Sequence, residues 1–496
     1  MPYTSFDEIE QIHTELHNTF KTKLTLPLAF RQHQALQLAR MLKENHTRIA
    51  DAIWQDLGKP AFEVYLSEIN PTMERCVLTA QRLPEWTQVE NRENIITKPH
   101  QKQWKPRVYK APKGVGVVIA PWNYPMALSF QPLLGAIAAG CCCVLKLSEV
   151  SSHFAEAVAD LLPKYLDQRA YRVVLGGVPE VTRVLELKWN HIFYIGNSTV
   201  ARIISAAATR HLTPVTLELG GKSPVIIDPD FGDIELAAKR IFWGKTSNSG
   251  QICVSPDYVL VPTKTKTGHR RPELMEELVK AFKKAYQESF PEGSPALQSE
   301  SYAHIINEYH YKRVERLLEE TKGTVVTGGG KDPKTFKMEP TILTGVTPED
   351  ALMQGENFGP VLPLLKIDTV DDAIDFIGSR NHPLVLYVFS DDEEVKTRIR
   401  EGTTSGALIF NDTFIQLDVN EMPFGGVGES GHGSQVLQYT FEEFSYERSC
   451  LTIPKEIEPA FKPRYPPYSQ EAFDLMCKPG TNLEIPESTP EVGLMA

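Results

Sequence analysis

A chain of 496 residues, 42% hydrophobic and 23% charged, has an ordinary globular composition and is too long for a single core, so two or three domains are expected. Its formal net charge of −11 argues against a nucleic-acid partner and against attachment to acidic lipid by charge. Seven cysteines, three of them consecutive at Cys141, Cys142 and Cys143, make no disulfide framework and point to a reducing, cytoplasmic setting. The 13 histidines show no metal-ligand spacing, and no metal is expected.

In chain order, residues 1–15 are acidic and polar and carry no targeting signal. Residues 30–54 place apolar side chains at helical spacing, and Gly58-Lys59-Pro60 stops them. Residues 63–83 predict a second helix ended by Pro84, and residues 95–108 alternate as a hairpin that reaches another subunit. Residues 114–120 form a buried strand run, and Pro121-Trp122-Asn123-Tyr124-Pro125 follows at its C-terminal end, where ligands bind in open α/β sheets. Residues 126–147 are apolar enough to raise a membrane span. Gln131, Pro132, Gly135 and Gly140 interrupt them, so a buried helix and then a buried strand are expected.

Lys146 and Glu149 sit at the exit of that strand, placed to hydrogen-bond ribose hydroxyls or, alternatively, as surface charges. Further strands are read at 171–175 and 191–195. Gly196-Asn197-Ser198-Thr199-Val200-Ala201 then turns from strand into helix, an anion-binding arrangement but a weak dinucleotide fingerprint with a single glycine. This alternation predicts a parallel, doubly wound sheet.

The stretch richest in chemistry is 217–254. Leu217-Glu218-Leu219-Gly220-Gly221-Lys222-Ser223-Pro224 carries a carboxylate before a turn, and Asn248-Ser249-Gly250-Gln251-Ile252-Cys253-Val254 carries a cysteine behind a small polar loop. This reads as a nucleophile and its base, the loop amides being free for an oxyanion and the thiolate needing an electropositive, partly open setting. The competing reading is a buried structural cysteine and a capping or ion-paired glutamate. Residues 356–361 form an acidic-aromatic loop, and the glycine-rich run 423–431 lacks the Lys-Ser/Thr of a P-loop. From Ile453 prolines accumulate, which predicts an extended or disordered arm.

Taken in order, Pro121-Trp122-Asn123, the 217–224 run, Gly250-Gln251-Ile252-Cys253, Glu356-Asn357-Phe358-Gly359-Pro360 and Pro423-Phe424-Gly425-Gly426 resemble the aldehyde dehydrogenase superfamily over residues 28–451. Cys253-Val254-Ser255-Pro256-Asp257-Tyr258 and Leu437-Gln438-Tyr439-Thr440 are similar to its class 3 branch, which includes fatty aldehyde and fungal apocarotenal dehydrogenases. The resemblance implies an α/β fold with a Rossmann-like cofactor domain (1–90 and 107–216), a bridging and oligomerisation element of β structure (91–106 and 432–452), an α/β catalytic domain (217–431) and a proline-rich arm (453–496). It implies Cys253 as nucleophile, Glu218 as general base, and Asn123 with the Cys253 amide as oxyanion donors. For the cofactor it implies Lys146 and Glu149 at the adenosine ribose, Gly196 and Asn197 at the pyrophosphate with Trp122 nearby, Glu356 at the nicotinamide ribose and Phe358 beside the ring. Asn197 and Ala201 depart from the commoner Ser and Gly.

The implied reaction is oxidation of an aldehyde to the acid by NAD, with NADP also accepted, through a thiohemiacetal and thioester on Cys253 in a homodimer. Medium- or long-chain or polyene aldehydes are the expected substrates, with Tyr65, Tyr124, Trp243, Ile252 and Val254 as candidates for an apolar funnel or, alternatively, for ordinary core packing. The tail after Tyr468 has only scattered apolar residues, so no transmembrane segment is expected, and membrane association would need an anchor that this form lacks. The alternatives are a CoA-acylating dehydrogenase, which should not need Glu218 as a base, a catalytically inactive binding relative, and a cysteine hydrolase, for which no His lies in a recognisable motif beside Cys253.

Overall fold

Short runs of β-branched and apolar residues, buried on both faces, build a six-stranded sheet. The structure is a computed structural model that describes residues 2–478 and 480. Val115–Ile119 lies at the centre of this sheet, with Cys142–Lys146 and Tyr171–Val174 to one side and His191–Gly196 and Val215–Leu219 to the other. These five strands are parallel, and Gly431–His432 closes the edge antiparallel to Val215–Leu219. The order reverses between Val115–Ile119 and His191–Gly196, so the loops leaving those two strands open a crevice at a topological switch point.

A second, seven-stranded sheet runs in the order Thr324–Thr327, Thr341–Thr344, Val361–Ile367, Tyr258–Pro262, Pro224–Ile227, Val385–Phe389, Ala407–Phe410. All its neighbours are parallel except the first pair. A small sheet joins Glu90–Asn91, Arg107–Pro112 and Ser445–Cys450, the first two antiparallel. The fold is thus the expected one: a Rossmann-like part, an α/β catalytic part and a small β element. By contacts the chain forms two units, one of residues 1–86 with 111–446, which holds both large sheets, and one of 87–110 with the chain from 447.

Several local expectations need correction. Residues 95–108 are not a hairpin: tight 3₁₀ turns at Glu93–Ile95 and Pro99–Trp104 precede the strand, because Pro99 and Pro106 interrupt the ladder. The segment 63–83 is not one regular helix. A short helix Ala61–Val64 widens into a π turn at Tyr65–Ile69 and continues as Asn70–Trp86. Pro84 does not end it, since the Ala80 carbonyl that the proline leaves without an N–H accepts from Gln32 Nε2 at 2.8 Å. The proline-rich arm is not simply extended. It forms Glu458–Phe461 and Gln470–Met476, with Pro459 in a first helical turn, where proline is favoured, and Ser469 capping the second helix. Residues 481–496 of that arm lie outside the described residues. Among the described residues no helix is long and apolar enough to cross a membrane.

Candidate active site

The ten expected catalytic and cofactor residues line one cleft of about 1050 Å³ in the larger unit, and none of the five expected funnel residues does. Seven of the ten reach it from the carboxyl ends of strands in the six-stranded sheet, and three from loops that precede strands of the second sheet. Trp122 and Asn123 follow Val115–Ile119, Lys146 and Glu149 close Cys142–Lys146, Gly196 and Asn197 follow His191–Gly196, and Glu218 ends Val215–Leu219. Cys253 and the pair Glu356 and Phe358 come from loops of the second sheet.

The loop before Cys253 is held in an unusual conformation. Asn248 (φ 47°), Ser249 (φ 54°) and Gly250 (φ 71°) are three successive left-handed residues. Only glycine adopts this at no cost, so the other two must be held by their surroundings. Asn248 Nδ2 donates to Asn123 O at 2.9 Å, Ser249 Oγ bonds the Tyr302 hydroxyl at 3.2 Å, and Gln251 Nε2 donates to Asn248 O and His304 O, each at 3.0 Å. A side chain at Gly250 would meet Gly359 O at 2.3 Å, so this loop packs against the loop that bears Glu356. Asn123 Nδ2 donates to Gln251 O at 3.0 Å, which uses one of its two N–H donors.

The field at Cys253 differs from the electropositive setting expected. Burial pushes its thiol up, and the Glu218 and Glu356 charges add to this; the N–H groups of Cys253 and Val254 pull the other way. Glu218 is 3% exposed, and its Oε1 has no hydrogen-bond partner. Burial raises its pKa well above the ordinary carboxylate value, Glu443 adds to the rise, and a hydrogen bond from Gln435 opposes it. A carboxyl so raised is a competent proton acceptor for a thiol or a water.

On the cofactor side, Glu356 is pushed up to about 8 by burial and by Asp257, and its Oε1 is also without a partner. A side chain at Gly220 would meet Glu356 Oε2 at 2.3 Å, so only glycine lets that carboxyl reach the cleft. Lys146 Nζ bonds Glu149 Oε2 at 3.0 Å and Leu147 O at 2.7 Å, and burial lowers its pKa. Asn197 caps Ser198–Thr209 by accepting from the Val200 N–H at 2.9 Å. A side chain at Gly196 would strike the Tyr194 hydroxyl at 2.1 Å, the group that accepts the Asn197 N–H, so the glycine is required by packing within the turn. The Trp122 ring meets His310 at 4.8 Å and Phe358 at 5.4 Å. These features fit a dinucleotide: a crevice at the switch point, a helix N-terminus, and a buried Glu356 oxygen free to accept a ribose hydroxyl.

Sequence reasoning missed the groups that clasp the Glu356 loop. Lys222 pairs with Asp257 and donates to Leu352 O at 2.7 Å and Gly355 O at 3.0 Å. Arg313 donates to Phe358 O at 2.8 Å, and Lys245, lowered to about 8 by burial, donates to Gly359 O at 3.0 Å. Lys222 and Asp257 stood inside quoted motifs without a role, whereas Arg313 carried no sequence signal. Of the expected funnel, Ile252 and Val254 are core residues. Tyr65 and Tyr124 are partly buried against that core, and Trp243 is exposed with its ring 5.4 Å from Phe414.

A sequence profile described as "Aldehyde dehydrogenase family" matches residues 1–450. The chain is 42% identical over 449 residues to "Aldehyde dehydrogenase, dimeric NADP-preferring" of Rattus norvegicus, covering 90% of this chain and 95% of that protein. It is 41% identical over 460 residues to "Aldehyde dehydrogenase family 3 member A2" of Pongo abelii, covering 92% and 91%. Among solved structures, the substrate-bound state of Staphylococcus aureus AldH superposes with a TM-score of 0.85 at 35% identity, over 92% of this chain and 98% of that one. The NAD+ complex of a Mycobacterium tuberculosis aldehyde dehydrogenase gives 0.81 at 24% identity over 92% of each chain, a likeness of fold.

Proposed function

The chain belongs to the aldehyde dehydrogenase family, in its class 3 branch, and is an NAD(P)-dependent aldehyde dehydrogenase; on that footing we propose that it oxidises apolar, medium- to long-chain or polyene aldehydes to acids through Cys253. The observation that carries this reading is the meeting of Cys253, Asn123 and a buried, partnerless Glu218 carboxyl oxygen in one cleft.

In this reading the Cys253 thiolate, its proton released to solvent, adds to the aldehyde carbon. The second Asn123 N–H and the Cys253 N–H hold the developing oxyanion, and such donors contribute about 3–4 kcal/mol each. Lys146, Glu149, Asn197 and Glu356, with Trp122 and Phe358 alongside, would hold NAD(P), which would supply the two-electron acceptor for the step from adduct to thioester. Glu218 then takes a proton from water, the hydroxide attacks the Cys253 thioester, and the carbon–sulfur bond breaks to give the acid and the free cysteine. A raised Glu218 pKa suits hydrolysis, whereas a CoA-acylating enzyme would have no use for that base.

We assign 1–90 and 107–216 to cofactor binding, 217–431 to catalysis, and 91–106 with 432–452 to a bridging element. The word "dimeric" in the name of the rat relative supports a homodimer. The apolar preference rests on the likeness to the class 3 branch, since none of Tyr65, Tyr124 and Trp243 lines the cleft. Each methylene moved into an apolar channel contributes about 0.8 kcal/mol, roughly fourfold in kcat/KM. Absorbance assays of NADH formation with acetaldehyde, hexanal and decanal should show kcat/KM climbing along that series. Flat or falling values would defeat the substrate class while leaving the reaction intact.

Cofactor choice turns on Glu149, whose carboxylate accepts from a ribose 2′-hydroxyl and repels a 2′-phosphate. The Lys146 ammonium 3.0 Å away offsets part of that charge, which supports acceptance of both dinucleotides. Glu149→Gln should lower the ratio of NAD to NADP kcat/KM several-fold. An unchanged ratio would mean that Glu149 does not face the ribose.

A further inference from the structure

Among the described residues one ion pair is completely buried, close to the candidate active site yet outside the cleft lining. Lys59 Nζ lies 2.7 Å from Glu68 Oε1, and both side chains are 0% exposed. An ion pair in the core costs more in lost hydration than its attraction returns unless its remaining donors and acceptors are met. Here they are met by a single short segment. Lys59 Nζ donates to Asn123 O at 3.0 Å and stands 3.6 Å over the Tyr124 ring, while Glu68 Oε2 accepts from the N–H groups of Met126 at 3.0 Å and Ala127 at 3.2 Å.

The local structure is shaped for this contact. The π turn Tyr65–Ile69 inserts an extra residue per turn at the point that bears Glu68, a feature found often at functional sites. Glu68 in turn caps the start of Ala127–Ala139, where the exposed N–H groups favour a negative charge. Residues 123–127 are therefore gripped at four points by two side chains. Asn123 is fixed at both ends, its carbonyl by Lys59 and by Asn248 and its Nδ2 on the Gln251 carbonyl, two residues before the nucleophile.

We propose that Lys59 and Glu68 are positioning residues that set Asn123 against the Cys253 loop, a role that rests on the reading of Asn123 as an oxyanion donor. They touch neither substrate nor cofactor and act through the backbone of residues 123–127. A displacement of about 1 Å in such a donor can cost around 100-fold in rate.

The test replaces the pair in the whole enzyme, once with apolar groups (Lys59→Met with Glu68→Leu) and once by Glu68→Gln alone, in the native and in an Asn123→Ala background. Apolar replacement of a buried pair usually preserves folding, and Glu68→Gln retains an acceptor for the Met126 and Ala127 N–H groups. With decanal and NAD, kcat and the NADH burst should fall about 10- to 100-fold, while the Kd for NAD and the KM for NAD stay within roughly twofold. In the Asn123→Ala background the same changes should cost less than about twofold, because the group they position is gone. Lys59→Arg, which keeps the charge and a donor, should recover part of the loss.

Native kcat in either folded variant would overturn the proposal. So would an equal loss in the Asn123→Ala background, which would place the effect elsewhere. Should the apolar pair fail to fold, Glu68→Gln decides by the same two criteria. Full activity of Asn123→Ala by itself would instead defeat the assignment of Asn123, a separate result.

Discussion

Cys253→Ala is expected to abolish aldehyde oxidation, with kcat falling by at least about 10⁴-fold, as removal of a nucleophile does in other enzymes that use covalent catalysis. NAD binding, read by quenching of protein fluorescence, should stay within about twofold, because the cofactor contacts proposed here come from other loops. The expectation rests on position. Cys76, Cys141, Cys142 and Cys143 are buried outside the cleft, and Cys450 and Cys477 are exposed in the smaller unit. Cys253 is half-buried in the cleft, and its thiol faces two main-chain N–H groups. Substantial turnover by the alanine variant would reject it as the nucleophile and return it to the role of a small packed side chain.

The second large effect belongs to Glu218→Gln. Its kcat should drop about 10²- to 10⁴-fold, the usual worth of a positioned proton acceptor. The loss should fall on hydrolysis, so a pulse of decanal and NAD should leave an acyl adduct on Cys253 that intact-protein mass spectrometry detects. The pH dependence has a definite sign. The folded-state pKa of Glu218 is raised, so the carboxyl is protonated at low pH and only its ionised form accepts a proton. Native kcat should therefore rise with pH as Glu218 ionises, and the glutamine variant should lose that limb. A variant that shows neither burst nor adduct would mean that Glu218 acts earlier, in drawing the proton from the thiol.

The two predictions draw on different sources. The run Gly250-Gln251-Ile252-Cys253 pointed to a nucleophile, but the sequence also suggested that the chain would make its surroundings electropositive. The fold does the opposite, placing Glu218 and Glu356 near the sulfur and leaving both carboxyls raised. Desolvation depends on everything packed around a group, and local spacing does not register it. The π turn at Tyr65–Ile69 escaped for a related reason, since nothing in a helical hydrophobic pattern marks one extra residue. Pro84 misled because proline is read as a helix breaker, whereas Gln32, distant in sequence, satisfies the carbonyl it frees.

By itself the sequence determined the alternation of buried strands and helices, hence the parallel sheet, and the order of the loops at the strand ends. These follow from periodicity and turn chemistry within windows of a few residues. Only the tertiary structure decided which loops meet. The packing of the two sheets brings Asn123, Asn197, Glu218, Cys253 and Glu356 to one cleft; Arg313 and Lys245 grip the Glu356 loop, and Lys59 is buried against Glu68 behind Asn123. Contacts of that kind join residues tens to hundreds of positions apart, and their strength comes from shared exclusion of water, which exists only once the whole unit has folded.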